Sequence, residues 1–208
     1  MIDNKQNLPV VSRKIRKADK YINAEYVRKL YEAIDNPRDK AYIMLHIETG
    51  LRVSDIVGIK EKNNSDRLLG IEIDRIDFKN FSIEVYDHKK NKWRFIYFPN
   101  KVKPILKMWL RERQIKDIKG RALFPFSEKT ANRILKYWCK KVGYPLADRV
   151  SSHFLRHTFI RLSRRAGRDI KAVQQNTGDT VKTILAWYSE LDSEGMKEEL
   201  DKDLIGGV

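Results

Sequence analysis

The chain has 208 residues, 41% of them hydrophobic, which is enough for one sizeable core and speaks against a fully disordered polymer. Its 43 Lys and Arg against 28 Asp and Glu leave a net charge of +15, which implies a polyanionic partner, nucleic acid first. A single cysteine, Cys139, excludes an internal disulfide framework, no apolar run approaches the roughly 18 residues of a membrane span, and no apolar signal core opens the chain, so a cytoplasmic location away from membranes is expected.

Residues 1–20 read as a basic N-terminal arm carrying Arg13, Lys14, Arg16, Lys17 and Lys20, suited either to phosphate or to plain solvation. Tyr26, Val27, Leu30, Tyr31 and Ile34 then share one helix face, with Asn23 as N-cap and Asn36-Pro37 as a stop. Residues 39–48 are apolar on most sides, the pattern of a central buried helix, and Gly50 ends it. A short helix is expected over residues 54–59.

The period then changes from helical to alternating. Residues 71–77, 81–87 and 93–98 read as three strands, separated by turn-like breaks at 77–80 and 88–91, and together as one small antiparallel sheet. Helical spacing returns with Val102, Ile105, Leu106 and Trp109, where Pro104 sits in a tolerant first turn. Further helices are expected over residues 129–141, 153–166 and 170–176, and a last one carries Val181, Ile184, Leu185 and Tyr188. The fold class is α+β, mainly α, and residues 191–208 form an acidic tail.

The cationic surplus is concentrated. Lys89, Lys90 and Lys92 crowd one hairpin tip, and Lys129, Arg133, Lys136, Lys140 and Lys141 ride the polar side of an apolar helical stripe. Of these, Lys90, Lys92, Arg133, Lys136 and Lys140 are candidate DNA contacts on a phosphate backbone or in a major groove. His153 and His157 have the four-residue spacing of metal ligands, but Phe154 stands where a zinc protease carries Glu and no further His or Cys cluster completes a site. Neither a metal nor a cofactor is expected. By periodicity alone His157 is a packed helix histidine and Tyr188 a core tyrosine.

Thr49-Gly50-Leu51-Arg52, His153-Phe154-Leu155-Arg156-His157, Thr177-Gly178-Asp179 and a tyrosine 32 residues after Arg156 form an ordered set. In order and spacing this set resembles the tyrosine recombinases, the phage-type integrases. The resemblance covers residues 21–190, which would be the catalytic domain, with a helical catalytic fold built around a small three-stranded sheet. It implies that Arg52 and Arg156 grip the scissile phosphate, that His153 bonds the phosphate and helps manage the tyrosine proton, and that Tyr188 is the nucleophile. It also implies that a lysine on the hairpin, Lys89 with Lys90 and Lys92 as rivals, gives a proton to the leaving 5′-oxygen, and that Asp55 orients an arginine from behind.

One position departs from the family pattern. Nine residues before Tyr188 the family usually places histidine or tryptophan, and here stands Asp179. An ionised aspartate cannot donate a hydrogen bond to a phosphate and repels it. Asp179 is therefore expected to turn away and brace Arg156 or His153.

The implied chemistry is physically coherent. Attack on a phosphodiester gathers negative charge on the non-bridging oxygens, and two planar, permanently charged guanidiniums can clamp them. A free tyrosine ionises near pH 10, so it needs a positive site or a base to attack at neutral pH. The resemblance implies a site-specific recombinase or integrase that works through a 3′-phosphotyrosine link without metal or ATP. It would act on double-stranded DNA sites as a homotetramer, be monomeric when free, exchange its C-terminal tail between protomers and belong to a virus, plasmid or transposon. Twenty residues are too few for the separate N-terminal clamp domain that many relatives carry. A type IB topoisomerase-like nicking-closing enzyme and a DNA-binding accessory protein with a decayed site stay open as alternatives.

Overall fold

The computed structural model describes residues 19–59 and 70–188. Most of the basic arm and all of the acidic 191–208 tail lie outside the described residues. Helix α1 (Ala24–Ala33) starts at the expected cap, where the Asn23 side chain accepts the Tyr26 N–H at 3.1 Å. Asn36-Pro37 is a start rather than a stop. Asn36 caps α2 (Pro37–Thr49) by accepting the Asp39 N–H, and Pro37 fills a first-turn position whose missing N–H has no partner to lose.

Helix α2 is the central rod, with every residue from Ala41 to Thr49 buried. It packs against α4 (Val102–Ile115) and α6 (Ser152–Arg165). Gly50 ends it at φ +65°, a left-handed conformation that glycine adopts freely. Helix α3 (Val53–Val57) follows and is shorter than the sequence suggests, because Gly58 caps it.

The three strands form the expected antiparallel sheet, with the second in the middle, but the first is much reduced. Only Ile76–Asp77 (β1) pairs with β2 (Ser82–Asp87), and Ile73–Arg75 is a 3-10 turn. The alternation at the start of 71–77 serves another partner. Leu123 N–H donates to the Ile71 carbonyl, Ile73 N–H to the Arg121 carbonyl, and Glu72 bridges Ala122. Between β2 and β3 (Lys92–Tyr97) the register sets Ile83 against Ile96, Val85 against Arg94 and Asp87 against Lys92. Both hairpin turns open on an aspartate: Asp77 Oδ1 accepts the N–H groups of Lys79 and Asn80, and Asp87 Oδ1 those of Lys89 and Lys90.

Helix α5 (Glu128–Lys141) buries Ala131, Ile134, Leu135, Trp138 and Cys139 and leaves its basic side in solvent. It also fixes the start of α6, since Asn132 Oδ1 accepts both the N–H and the hydroxyl of Ser152. A small second cluster of Phe159, Ile160, Val173 and Ile184 docks α7 (Ile170–Thr177) and α8 (Val181–Tyr188) on α6. Among the described residues no helix is long and apolar enough to cross a membrane.

Candidate active site

The site is assembled where α2 ends, α3 begins and α7 ends. Gly50 allows the chain to turn sharply, Leu51 anchors in the core, and Arg52 becomes the N-cap of α3. Asp55, buried three residues on, accepts the Arg52 N–H at 3.3 Å and so fixes the backbone from which that side chain leaves. Arg156 rises from the middle of α6. Its Nη1 donates to the Gly50 carbonyl at 2.5 Å and its Nη2 to the Thr177 carbonyl at 2.9 Å.

Asp179 joins the two arginines. Its Oδ1 lies 2.7 Å from Arg52 Nη2 and its Oδ2 2.5 Å from Arg156 Nη2. The carboxylate therefore pairs with Arg156, one of its two anticipated partners, and its second partner is Arg52 rather than His153. Arg52 Nη1 is buried without a hydrogen-bond partner, 3.9 Å from Asp87 Oδ1.

Two residues that the sequence reading did not single out complete the network. Arg94, on β3, lies between Asp55 (3.3 Å) and Asp87 (3.5 Å) and donates to the carbonyls of Gln175 and Asn176. Asp87, at the end of β2, is fully buried. The signal for both was present in the alternation, which puts Asp87 on the same face as Ile83 and Val85, and Arg94 on that of Ile96. A charge on the buried face of a strand needs a partner. Burial pushes the Asp55 carboxyl above the ordinary carboxylate range against the pull of Arg94 and Arg52. It also lowers both the Arg94 and the Arg156 guanidinium, which Asp55, Asp87 and Asp179 oppose.

Among the hairpin lysines one reaches the α7 cap. Lys90 Nζ donates to the Gly178 carbonyl at 2.6 Å, one residue from Asp179. All three hairpin lysines, Lys89 (the first choice from the sequence), Lys90 and Lys92, are exposed. The last turn of α7 and its cap thus give four successive carbonyls to three cations: Gln175 and Asn176 to Arg94, Thr177 to Arg156, and Gly178 to Lys90. These are oxygens that a helix end leaves without partners, at the negative end of its dipole. Gly178, at φ +70°, has no room for a Cβ, which would approach Asp87 Oδ2 to 2.8 Å.

His153 is exposed and lines a neighbouring cavity of about 490 Å³ with Lys20, Arg149, Ser151, Phe154 and His157. Its ring stacks on that of His157 at 6.2 Å, and His157 in turn lies 3.7 Å from the Trp187 ring. Trp187 is the residue before Tyr188, which ends α8 and whose side chain is outside the described atoms. His157 Nδ1 is 3.0 Å from the Lys20 carbonyl, an acceptor only, so Nδ1 carries the proton. On α5, Arg133 and Lys136 are exposed, as are Lys129 and Lys140, the last paired with Asp148 at 2.6 Å.

Burial lowers His157 to about 4, from an ordinary value of 6.5. The unfolded chain therefore binds more protons than the folded one between those values, and stability falls as pH drops from about 6.5 toward 4. His46, buried beside Arg156 and lowered to about 3, acts in the same direction. Each neutral histidine gives a slope approaching about 1.4 kcal/mol per pH unit. Urea melts of the wild type and of His157→Phe, which keeps a ring on Trp187, are expected to differ by about that slope below pH 6. Equal slopes would show that His157 titrates normally.

Residues 20–194 match the family model described as the phage integrase family. Tyrosine recombinase XerA of Saccharolobus solfataricus is 27% identical over 191 residues, an alignment covering 92% of this chain and 59% of that protein. A crystal structure of XerA recombinase superposes with a TM-score of 0.71 at 26% identity, over 86% of this chain and 63% of the other. The structure of XerH bound to its difH substrate has a TM-score of 0.66 at 20% identity, over 91% and 56%. The chain therefore spans about three fifths of the length of the relatives it matches. With a family match over most of its length, and with the catalytic fold in place around the paired arginines, this chain belongs to the phage integrase family.

Proposed function

We propose that the protein cuts and rejoins DNA at specific sites through a 3′-phosphotyrosine link. The observation that carries this reading is the pairing of Arg52 and Arg156 on one carboxylate, which aims two guanidiniums at a single small anion. The Tyr188 hydroxyl gives its proton to His153 as its oxygen attacks phosphorus, and the bond to the 5′-oxygen breaks. That oxygen takes a proton from a hairpin lysine, and the phosphate stays esterified to the tyrosine until a 5′-hydroxyl reverses the step. The two arginines hold the charge that builds on the non-bridging oxygens. Lys90, already within reach of Gly178, is better placed than Lys89 for the proton transfer.

The substrate proposed is a double-stranded DNA site, bound by the exposed cations of α5 and the hairpin and by the 1–20 arm. Among relatives in fold, XerH was solved on its difH substrate. Residues 21–190 act as the catalytic domain, a tetramer assembles on two sites inside the cell, and residues 191–208 pass between protomers. XerA and XerC recombinases are among the relatives that match by sequence, so a mobile-element origin, expected from the sequence, does not enter the proposal. The accessory-protein alternative draws on one observation, the neutralisation of both arginines by Asp179.

A nicked suicide substrate tests the proposal. DNA ends captured from genomic fragments supply the site, and EDTA is present throughout. The expected result is a protein–DNA adduct that survives denaturant and disappears in Tyr188→Phe. Sequence-specific binding with no adduct would replace the proposal with the accessory reading, and partner-free relaxation of supercoils would replace it with the topoisomerase-like one.

A further inference from the structure

We infer that Asp179 is a built-in anion that occupies the seat of the scissile phosphate, so that DNA engages the site by exchanging a phosphate for this carboxylate. The inference rests on the recombinase reading and concerns what the empty enzyme does with its own arginines. Three observations support it.

The first is geometric. A carboxylate and a phosphodiester both present two charged oxygens, and both suit two guanidiniums side by side. Asp179 satisfies one Nη2 from each arginine, at 2.7 Å and 2.5 Å. The remaining Arg156 contacts, to the carbonyls of Gly50 and Thr177, are backbone supports that hold the guanidinium in place.

The second is an unsatisfied donor. Arg52 Nη1 is buried and has no hydrogen-bond partner. A buried guanidinium nitrogen without an acceptor is costly. One carboxylate has two oxygens, and each already serves an arginine. Asp87 Oδ1, 3.9 Å away, is too distant to bond this nitrogen, and a phosphate brings more acceptor lone pairs than a carboxylate to the same pair of arginines.

The third is position. The Asp179 side chain keeps 14% of its exposure, between the 20% of Arg52 and the 6% of Arg156, so the carboxylate lies on the solvent side of Arg156. Asp179 lies in the three-residue link 178–180 between α7 and α8. Gly178 before it is in a left-handed conformation, and Thr180 after it is exposed. A rotation about Asp179 and Thr180 removes the carboxylate while the carbonyls of residues 175–177 continue to hold Arg94 and Arg156. The same rotation shifts the start of α8, the helix that ends at Tyr188, so arrival of the phosphate and placement of the nucleophile become one event.

Sulfate, titrated by calorimetry against a chloride background of constant ionic strength, tests the inference without DNA or chemistry. Asp179→Asn keeps the shape of the side chain but loses its charge, and its amide hydrogens oppose a second arginine. The expected result is that Asp179→Asn binds sulfate at least about tenfold more tightly than the wild type, and that Arg52→Gln in the same background removes the gain. Equal sulfate affinity in the wild type and Asp179→Asn would overturn the inference. So would a weaker affinity in Asp179→Asn, which would make the carboxylate a brace that the arginines need. The recombinase reading stands or falls separately, on the Tyr188-dependent adduct. If that adduct forms, Asp179→Asn is expected to form it faster from a saturating suicide substrate.

Discussion

Replacing Arg156 by lysine is expected to slow covalent adduct formation by about a hundredfold to a thousandfold while leaving the protein folded. The positive charge survives this change, but the geometry does not. Arg156 reaches the Gly50 carbonyl with one nitrogen and the Thr177 carbonyl and Asp179 with the other, which requires a planar fork. A lysine has three donors around one point and cannot span carbonyls contributed by two different helix ends. Arg156→Ala removes the charge as well and is expected to cost about 3 kcal/mol of stability, at the low end for a broken buried pair because Asp179 keeps Arg52. Single-turnover gels on a suicide substrate and urea melts separate the two losses. A near wild-type cleavage rate in Arg156→Lys would show that charge alone suffices.

The second large effect is structural. Gly50→Ala is expected to destabilise the protein by about 2–5 kcal/mol. About 1–2 kcal/mol of this comes from the left-handed backbone at φ +65°, and the rest from overpacking. A Cβ there would overlap the Phe159 ring, approaching its Cγ to 2.8 Å. Phe159 cannot give way easily, because it is a member of the small cluster that holds α7 and α8 on α6. The double variant with Phe159→Leu isolates the two costs: the clash is relieved and the backbone cost remains, so the two changes should combine less than additively. Full additivity in urea melts would show that Gly50 is required for its conformation alone. Because Gly50 also presents a carbonyl to Arg156, the melts should be paired with the cleavage assay.

What the sequence revealed depended on whether a residue's signal was local. The α2 rod, the α5 amphipathic helix and the two Asp-led hairpin turns were legible because period, cap and turn chemistry all lie within a few residues. The strand expected over 71–77 was misjudged because alternation says that a segment is extended and half-buried but does not name its partner, and residues 121–123 took the ladder. Asn36-Pro37 carried a boundary signal whose direction was ambiguous, since the same pair can end one helix or cap the next. Family spacing identified Arg52 and Arg156, yet it did not foresee that Asp179 would bind both. Arg94 and Asp87 were missed because no motif includes them, although the strand pattern placed both charges inward. The ranking of Lys90 over Lys89 depends on a contact between residues 88 positions apart, which nothing in the hairpin itself encodes.

The stapling of α7 by Arg94, Arg156 and Lys90 has a genetic consequence. All four acceptors are peptide oxygens, so no point substitution at residues 175–178 can delete one of them. Heritable change can reach these bonds only through the donors, or through Gly178, where any side chain would disturb the turn itself. Half of each interaction is thus shielded from mutational drift, and the cations of the site keep a common reference frame while the exposed surface of α7 is free to diverge.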